Sequence, residues 1–416
     1  MSSQYCTRIP PQEALPGTIL DRPQADALID YQIFDADQHY YEAEDALTRH
    51  LDREYRNSVR WADIEGRRTI IINNKLLTVI PNPTYDPVGV PGSLEKYFRA
   101  ENTEGLPIKD IISMQRIQPE YRDRDARVKR LDQQGVELAW LLPSLGLGVE
   151  EMLSEDPKSA HAIFTAYNRW LDEDWGYDRD GRIQTGPLIS LLDPAEAEKE
   201  LARVLALGAK FVTMRPAPVA APGKFRSPGD VAHDRVWAMI AEAGIVCSIH
   251  AADSGYNKYL GDWGESTAYT GLKSTPLTEV LSISIERPIF DMMAAMICHG
   301  VFDRHPKLKV ATLELGAAWV GELHRRLRIT YGKTPQLFGQ DPSESFREHV
   351  WVAPFYEDLV TKLRDDHGAD RILLGSDWPH PEGLSEPRAW IGDFMGLSPE
   401  DRRLALRDNQ KFLSGR

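Results

Sequence analysis

The sequence predicts an α/β fold of the (β/α)8 barrel type, and three observations lead to this prediction. Eight short runs rich in Val, Ile, Leu and Phe recur along the chain, as expected of parallel strands buried on both faces. Segments with helical start signals lie between these runs. No linker divides the chain in the middle, so its 416 residues fit one elaborated barrel better than two separate α/β domains.

The apolar runs are spaced so that a helix fits between one strand and the next. They cover residues 33–37, 136–142, 183–191, 209–214, 245–250, 308–313, 349–352 and 371–375. Asp-Pro pairs at 156–157 and 193–194 open two of the helices, because aspartate caps a helix and proline is favoured at its first position. The second of these helices is expected over 194–207. Eight such strand-plus-helix units predict the barrel.

Two segments lie outside the repeating units. Residues 1–32 are expected to form an extended N-terminal arm, because prolines interrupt them and no long hydrophobic period holds. The barrel domain then covers 33–416, with one insertion at about 55–120 after the first strand. Within it, strands at 68–73 and 75–80 flank an Asn-Asn pair, which is typical of a hairpin turn. An insertion at this point lies over the C-terminal face of a barrel, and both a lid and a dimer contact remain open.

Composition and charge exclude several classes of protein. The chain has 49 Lys and Arg against 63 Asp and Glu, a net charge of −14 that disfavours binding to nucleic acid. No segment has the ~20 consecutive apolar residues of a membrane span, and the start lacks a signal-peptide pattern. Three cysteines are too few for a disulfide framework. We therefore expect a cytoplasmic protein, a homodimer or higher homo-oligomer, that acts on a small molecule.

Polar side chains end three of the predicted strands. Asp37 and His39 lie two residues apart on the first strand, so both side chains leave the same face. The fifth strand ends at His250, and the eighth is followed by Asp377. Because the C-terminal ends of barrel strands meet at one mouth, these four side chains can together hold one divalent cation. His380 follows three residues later and is expected to hold the Asp377 turn, with metal ligation as the alternative.

Several longer motifs give the chain a family resemblance from about residue 33 to its C-terminus. They are Asp35-Ala36-Asp37-Gln38-His39 with Glu42 behind it, Arg124-Asp125-Ala126-Arg127 ahead of Gly135-Val136, the run His299-Gly300-Val301-Phe302-Asp303-Arg304-His305-Pro306-Lys307-Leu308-Lys309-Val310, Glu314-Leu315-Gly316, and Gly375-Ser376-Asp377-Trp378-Pro379-His380-Pro381. With these motifs the sequence resembles the amidohydrolase-related family. Its best-known member is aminocarboxymuconate-semialdehyde decarboxylase, within the larger amidohydrolase superfamily.

The resemblance implies a metal bound by Asp37, His39, His250 and Asp377. Two positions depart from the pattern of many members. Asp37 stands where many members have a histidine on the first strand, and an acidic residue there is similar to the hydroxybenzoate decarboxylases of the group. Glu314 stands where many members have a catalytic histidine after the sixth strand.

The ligand set suggests which metal to expect. Asp37 and Asp377 together neutralise a divalent charge, so a bound water should be less acidified than in a three-histidine site. An oxygen-rich set makes manganese or magnesium plausible beside zinc. Binuclear members of the superfamily bridge two metals through a lysine on the fourth strand, whereas the mouth end of that strand here is Met214-Arg215. We therefore expect one divalent ion, zinc or manganese, with magnesium as a further alternative.

Five side chains are expected to do chemistry or contact the substrate around this metal. Asp377 or Glu314 is the expected catalytic base. Glu314 suits this role if burial raises its pKa toward neutrality, and the alternative is an ion pair with Arg215. Arg215 is expected to clamp a substrate carboxylate or to orient Glu314. Trp378 is expected to wall an aromatic pocket, with core packing as the alternative, and His299 is a third catalytic candidate unless it only caps its helix.

The sequence therefore predicts a metal-dependent hydrolase that acts on a small organic substrate, aromatic or cyclic. The alternative is the non-oxidative decarboxylation of an aromatic or unsaturated carboxylic acid, which the acidic residue at Asp37 favours. A third interpretation is a binding protein that keeps the fold without the chemistry. The identity of the substrate and the choice between the two reactions stay open at this point.

Overall fold

The computed structural model describes residue 20, residues 22–267 and residues 275–416, and within them seven strands and one further extended segment form a closed barrel. The strands, numbered here as the first to seventh barrel strands, are Ile33–Tyr40, Val136–Pro143, Ile183–Thr185, Phe211–Met214, Val246–His250, Lys309–Leu313 and Val350–Val352. Every pairing between neighbouring strands is parallel. The predicted (β/α)8 barrel is confirmed.

The eighth segment, residues 372–375, closes the ring between the seventh and first strands. Ile372 bridges to Val352, and the backbone N–H of Ala36 donates to the carbonyl of Leu374 at 2.8 Å. The third and fourth strands meet through a bridge between Leu188 and Thr213. Each of the eight segments therefore has a neighbour on both sides, and their C-terminal ends share one mouth.

Side chains that alternate along the strands fill the interior of the barrel. They form a buried cluster that includes Phe34, Leu138, Trp140, Phe211, Leu313 and Trp351. The larger hydrophobic core lies between the strands and the helices. The interior of the barrel is therefore a packed hydrophobic core, and the polar side chains of interest lie at its mouth.

Helices alternate with the barrel strands along the chain. Those described are Arg22–Leu28, Glu95–Phe98, Ile108–Ile111, Arg124–Gln134, Pro157–Asp174, Pro194–Ala206, Asp234–Ala243, Asn257–Gly261, Pro276–Leu281, Glu286–Cys298, Val301–Arg304, Ala318–Lys333, Pro342–His349, Val360–His367, Pro399–Arg403 and Asn409–Leu413. At the two helices that follow Asp-Pro pairs, Asp156 accepts a hydrogen bond from Ser159 N and Asp193 one from Ala195 N. None of the helices in the described ranges is both long and apolar enough to cross a membrane.

The insertion after the first strand contains a small antiparallel sheet. Its strands are Val59–Ile64, Arg67–Ile72 and Lys75–Leu76, so the structure has the hairpin at the Asn-Asn pair, preceded by one strand that was not predicted. Asn73 and Asn74 take φ values of 44° and 62°, in the left-handed region that asparagine tolerates in such turns.

Another part of the insertion contacts the segment that follows the eighth barrel segment. A two-stranded sheet joins Val88–Gly89 to Met114–Gln115. Gly89 approaches Pro381 so closely that a Cβ at this position would lie 2.7 Å from the proline ring. Leu94 N also donates to the Pro381 carbonyl at 2.8 Å. This part of the insertion therefore lies at the C-terminal end of the barrel.

The predicted N-terminal arm lies mostly outside the described residues. Its described part contains the helix Arg22–Leu28, in which Ala25 is fully buried and Asp26 pairs with Arg388 at 2.5 Å. The expectation of an extended conformation is wrong for this helix. Proline is tolerated in the first turn of a helix, where Pro23 lies, and the residues that follow it form helices readily.

Candidate metal centre

Four barrel segments bring polar side chains together at the mouth. Asp37 and His39 come from the first strand and His250 from the end of the fifth, while Glu314 follows the sixth strand and Asp377 follows the eighth segment. Four of these side chains are almost completely buried, and Glu314 is 19% exposed. Three of the four ligands predicted from the sequence, Asp37, His39 and His250, therefore lie together with Glu314, which was not among the predicted ligands, and Asp377 adjoins this group at His39.

Two of the five residues have a left-handed backbone. Glu314 has φ 54° and Asp377 has φ 56°, a conformation that costs a residue with a Cβ about 1–2 kcal/mol. At both positions the chain leaves its barrel segment and turns the carboxylate into the mouth. Strained backbone of this kind is concentrated at functional sites, and here it supplies two of the three carboxylates.

The ligand atoms form two overlapping groups in which all atoms lie within 4.8 Å of one another, one of Asp37, His39, His250 and Glu314 and one of His39, Glu314, Asp377 and His380. The Nε2 atoms of His39 and His250 are 3.2 Å apart. Asp37 Oδ1 lies 3.2 Å from His39 Nε2 and 3.4 Å from His250 Nε2. Glu314 Oε2 lies 3.0 Å from His250 Nε2 and 3.4 Å from His39 Nε2. Asp377 Oδ1 lies 3.3 Å from His39 Nε2.

These spacings fit a divalent cation better than they fit hydrogen bonds. Asp37 Oδ1, Glu314 Oε2 and Asp377 Oδ2 are buried and have no hydrogen-bond partner among the described residues. Ligands about 2.1 Å from a metal lie about 3.0 Å apart along an octahedral edge and about 3.4 Å apart along a tetrahedral edge. The observed separations of 3.0–3.4 Å fall in this range. Asp37, His39, His250 and Glu314 are therefore suited to hold one divalent metal, with Asp377 next to them at His39.

The hydrogen bonding of His250 supports the same assignment. Its Nδ1 lies 2.9 Å from the carbonyl of Ala251, and a carbonyl only accepts, so Nδ1 must carry the hydrogen. In the neutral ring, Nε2 then presents its lone pair toward the other ligand atoms. Metal-binding histidines commonly have their second nitrogen fixed in this way.

The electrostatics of the cluster contradict one expectation about Glu314. Burial raises the pKa of Glu314, but the positive charge of His250 and close contacts with His250 and His39 lower it below its usual value. Burial lowers the pKa of His250, yet the charges of Glu314 and Asp37 raise it to about 10. The expected rise in the pKa of Glu314 toward neutrality is therefore wrong for the metal-free chain. The histidines there carry the positive charge that a cation would otherwise supply.

His380 contacts both Asp377 and His39. Its Nδ1 lies 2.7 Å from Asp377 Oδ1, and its ring stacks on that of His39 with centroids 4.0 Å apart. Its Nε2 lies 2.8 Å from the hydroxyl of Ser144, which in turn donates to the carbonyl of Tyr40. His380 N also donates to Asp377 O at 2.9 Å, which fits the expected role in the Asp377 turn. Its side chain also groups with His39, Glu314 and Asp377, so metal ligation stays the alternative.

Comparison with known proteins gives the family. A family model described as Amidohydrolase matches residues 117–409. The chain belongs to the amidohydrolase family. A solved amidohydrolase from Mycobacterium avium subsp. paratuberculosis K-10 is 44% identical, with a TM-score of 0.88 over 93% of this chain and 100% of that chain. The family predicted from the sequence motifs is confirmed.

Two solved decarboxylases share the fold at much lower identity. The dihydroxybenzoic acid decarboxylase of Polaromonas sp. JS666, with bound manganese and the inhibitor 2-nitroresorcinol, is 16% identical, with a TM-score of 0.51 over 78% of this chain and 93% of that chain. The 5-carboxyvanillate decarboxylase of Sphingomonas paucimobilis is 17% identical, with a TM-score of 0.50 over 70% of this chain and 82% of that chain. At this low sequence identity, the comparison shows only that this amidohydrolase and the two decarboxylases share a fold.

Arg215 is next to His250 in strand register, but its guanidinium is already engaged. Its Nη1 donates to Glu151 Oε2 at 2.8 Å and to the carbonyl of Asp253 at 2.7 Å, and its Nε lies 3.3 Å from Glu150 Oε2. The expected ion pair with Glu314 is wrong, because Glu150 and Glu151 on the loop after the second strand pair with the arginine first. With these donors occupied, the structure gives no support to a substrate clamp.

Trp378 lies behind the mouth. The side chain is 1% exposed, the Arg127 guanidinium lies 4.6 Å from its ring centre, and Tyr121 packs edge-on at 5.4 Å. The turn that directs the Asp377 side chain into the mouth directs the Trp378 side chain away from it, into the core. The expected role of Trp378 as a pocket wall is therefore replaced by the alternative, core packing.

His299 lies outside the cluster. It follows the end of the helix Glu286–Cys298, is exposed, and has its Nδ1 2.8 Å from the hydroxyl of Ser227. The buried face of that helix is formed by residues such as Met293 and Met296, so a residue just past its end points to solvent. The expectation of a catalytic role is not supported, and helix-end capping is a sufficient account.

Proposed function

We propose that this chain is a metal-dependent hydrolase that acts on a neutral or positively charged small organic substrate. One observation carries the proposal: Asp37, His39, His250 and Glu314 converge at the mouth with ligand atoms within 4.8 Å of one another, and Asp377 Oδ1 lies 3.3 Å from His39 Nε2. In this proposal one divalent cation is held between Asp37, His39, His250, Glu314 and Asp377. Three carboxylates make the set rich in oxygen, which suits manganese.

The residues around the metal would divide the work of hydrolysis. When bound, the cation polarises the scissile carbonyl and acidifies a water molecule. Asp377 takes the proton of the attacking water at Oδ2, which is buried and lacks a partner among the described residues. His380, 2.7 Å from Asp377 Oδ1, orients this carboxylate from behind. Burial of the group excludes bulk water from the reacting atoms.

The charge of the mouth favours hydrolysis over decarboxylation. Three carboxylates exceed the charge of one divalent cation by one unit. In the metal-free site, burial together with the negative charge of Glu314 raises the pKa of the neighbouring Glu382 to about 7. Arg215, the arginine at the end of the fourth strand, is paired with Glu150 and Glu151. A substrate carboxylate would be repelled in this setting, whereas an ester, amide or lactone would not.

Non-oxidative decarboxylation of an aromatic acid is the second candidate. It is supported by the acidic residue at Asp37 and by the shared fold with the two decarboxylases, one of which holds manganese. In this reaction a protonated Asp377 would supply the proton that replaces the departing carboxyl group. In the metal-free site, burial and the charges of Glu314 and Glu382 raise the pKa of Asp377 well above its usual value, and a bound cation would lower it again.

One experiment separates the candidates. Purified protein is stripped with a chelator, reloaded with Mn²⁺ or Zn²⁺, and given neutral esters, lactones and amides beside a panel of hydroxybenzoates. We expect metal-dependent hydrolysis that falls at least ~100-fold in Asp377→Asn, which keeps the size of the side chain but cannot accept the proton. Carbon dioxide from a hydroxybenzoate without any hydrolysis would establish the second candidate. Far less than one metal ion per chain after reloading would overturn both.

A further inference from the structure

Asp35 is a fully buried carboxylate on the first strand, two residues before Asp37. Its Oδ1 accepts hydrogen bonds from two backbone N–H groups, Asp37 at 3.2 Å and Ser376 at 3.0 Å. Its Oδ2 accepts from two side chains, Ser376 Oγ at 2.6 Å and Gln38 Nε2 at 2.9 Å. Asp35 thus joins the first strand to the chain just after the eighth segment, where the barrel closes.

The hydroxyl of Ser376 extends this connection around Asp377. Ser376 Oγ donates to Asp35 and accepts from the backbone N–H of Trp378 at 3.2 Å. The N–H of Asp377 itself donates to the carbonyl of Asp37 at 2.7 Å. The backbone is therefore held before, at and after Asp377, and this holding opposes relaxation of its left-handed φ of 56°.

We propose that Asp35 is a positioning residue for the metal centre: through Ser376 it fixes the backbones of Asp37 and Asp377 so that both carboxylates meet one cation. The inference rests on the proposed function, because it assumes that these two carboxylates bind a metal. Asp35 acts through the ligands, since its two oxygens are already used by four donors.

The hydrogen-bond pattern explains why a carboxylate is needed at this position. All four partners of Asp35 are donors, and each oxygen accepts from two of them. An asparagine of the same size would place an amide NH2 against two of these donors, whichever way it is turned. Facing the two backbone N–H groups, the amide NH2 leaves both without an acceptor. Facing the other side, it leaves Gln38 Nε2 without one and takes the Ser376 hydroxyl as its acceptor, so in either orientation the turn that carries Asp377 would loosen.

The test compares Mn²⁺ binding and thermal stability in the metal-free full-length protein. The variants are Asp35→Asn and Ser376→Ala, with Glu200→Gln as a matched control. Glu200 is also a buried carboxylate with several donors (Thr165, Asn168 and Arg203), but it lies on the helix Pro194–Ala206. Affinity is measured from the electron paramagnetic resonance signal of free Mn²⁺, the shape of the bound signal reports the geometry of the site, and the unfolding temperature reports the fold.

We expect Asp35→Asn to weaken Mn²⁺ binding about 10- to 100-fold and to change the bound signal, as losses behind metal ligands commonly do. Ser376→Ala, which removes one of the four donors, should weaken binding severalfold, and Glu200→Gln should leave it unchanged even if it lowers the unfolding temperature. Wild-type affinity in both Asp35→Asn and Ser376→Ala would overturn the inference and leave the proposed function standing. If Asp35→Asn does not fold, unchanged affinity in Ser376→Ala alone overturns it. Failure of the wild type to bind either Mn²⁺ or Zn²⁺ would overturn the proposed function and this inference together.

Discussion

Glu314 determines the charge balance of the metal centre at the scale of single residues. The family resemblance leads one to expect a histidine at this position, and the glutamate adds a third carboxylate to two imidazoles. Its left-handed backbone brings Oε2 to 3.0 Å from His250 Nε2, so the substitution affects the metal ligands directly. The harder, more negative set should favour manganese over zinc relative to a site with histidine there.

The first prediction concerns Glu314→Gln and Glu314→His. Glutamine keeps the shape of the side chain and removes its charge, so Mn²⁺ affinity should fall at least ~10-fold, about 1.4 kcal/mol. Histidine should shift the preference from Mn²⁺ toward Zn²⁺. Competition titrations with both metals measure the two effects. Glu200→Gln changes a buried carboxylate on the helix Pro194–Ala206, outside the ligand group, and should stay within about twofold of the wild type. Equal Mn²⁺ affinity in Glu314→Gln and the wild type would remove Glu314 from the ligands.

At the scale of strands and helices, the sequence predicted the existence of elements better than their ends. Eight runs were expected and all eight join the barrel, because strands buried on both faces must be continuously apolar. The run 183–191 differs most, since its strand ends at Thr185. Gly186 follows, where a Cβ would lie 2.2 Å from Thr213 Oγ1, and Pro187 has no N–H for the ladder. Where a strand ends therefore depends on contacts with neighbouring strands, and the sequence pattern of one segment gives no information about those contacts.

A buried histidine pair links three helices away from the mouth, Ala318–Lys333, Pro342–His349 and Val360–His367. His367 Nε2 donates to the carbonyl of Val350 at 2.9 Å, so its Nδ1 accepts from His324 Nε2, also at 2.9 Å. His324 Nδ1 then accepts from the hydroxyl of Ser343 at 2.8 Å. In this chain of hydrogen bonds both rings are neutral. Burial lowers the pKa of His324 to about 4 and that of His367 to about 3.

The second prediction follows from these lowered pKa values. Between about pH 6.5, the ordinary value for histidine, and pH 4, the unfolded chain binds protons that the folded pair does not. The free energy of unfolding should therefore decrease as the pH is lowered through this range, by up to about 1.4 kcal/mol per pH unit for each of the two residues. Urea unfolding at pH 7, 6, 5 and 4 should show a shallower fall in His367→Gln than in the wild type. Replacing the exposed His299 by Asn is the control, and the same slope in His367→Gln and the wild type would contradict the prediction.

At the scale of the whole molecule, the site depends on barrel closure in a way that sequence reasoning captured only in part. Asp37, His39, His250 and Asp377 were predicted because they end strands whose mouth ends must meet. The roles expected for Arg215, Trp378 and His299 were not supported, because side-chain direction and competing partners decide them. Glu150 pairs with Arg215 from a different loop, and Asp35 reaches Ser376 from the far end of the chain. Neither contact can be predicted from the spacing of residues along the sequence.

The same closure would make a metal bound at the proposed site a stabiliser of the entire barrel. The ligands come from the first, fifth, sixth and eighth segments, so the unfolded chain does not present them together and the metal binds the folded state alone. Mn²⁺ at about 100 times its dissociation constant should add about 2.7 kcal/mol to the free energy of unfolding. Calorimetry should show an unfolding temperature that rises with Mn²⁺ and returns with chelator. Asp37→Asn, which removes a ligand from the first barrel strand, should show no rise in unfolding temperature with Mn²⁺. A rise equal to that of the wild type would place the stabilising ion elsewhere.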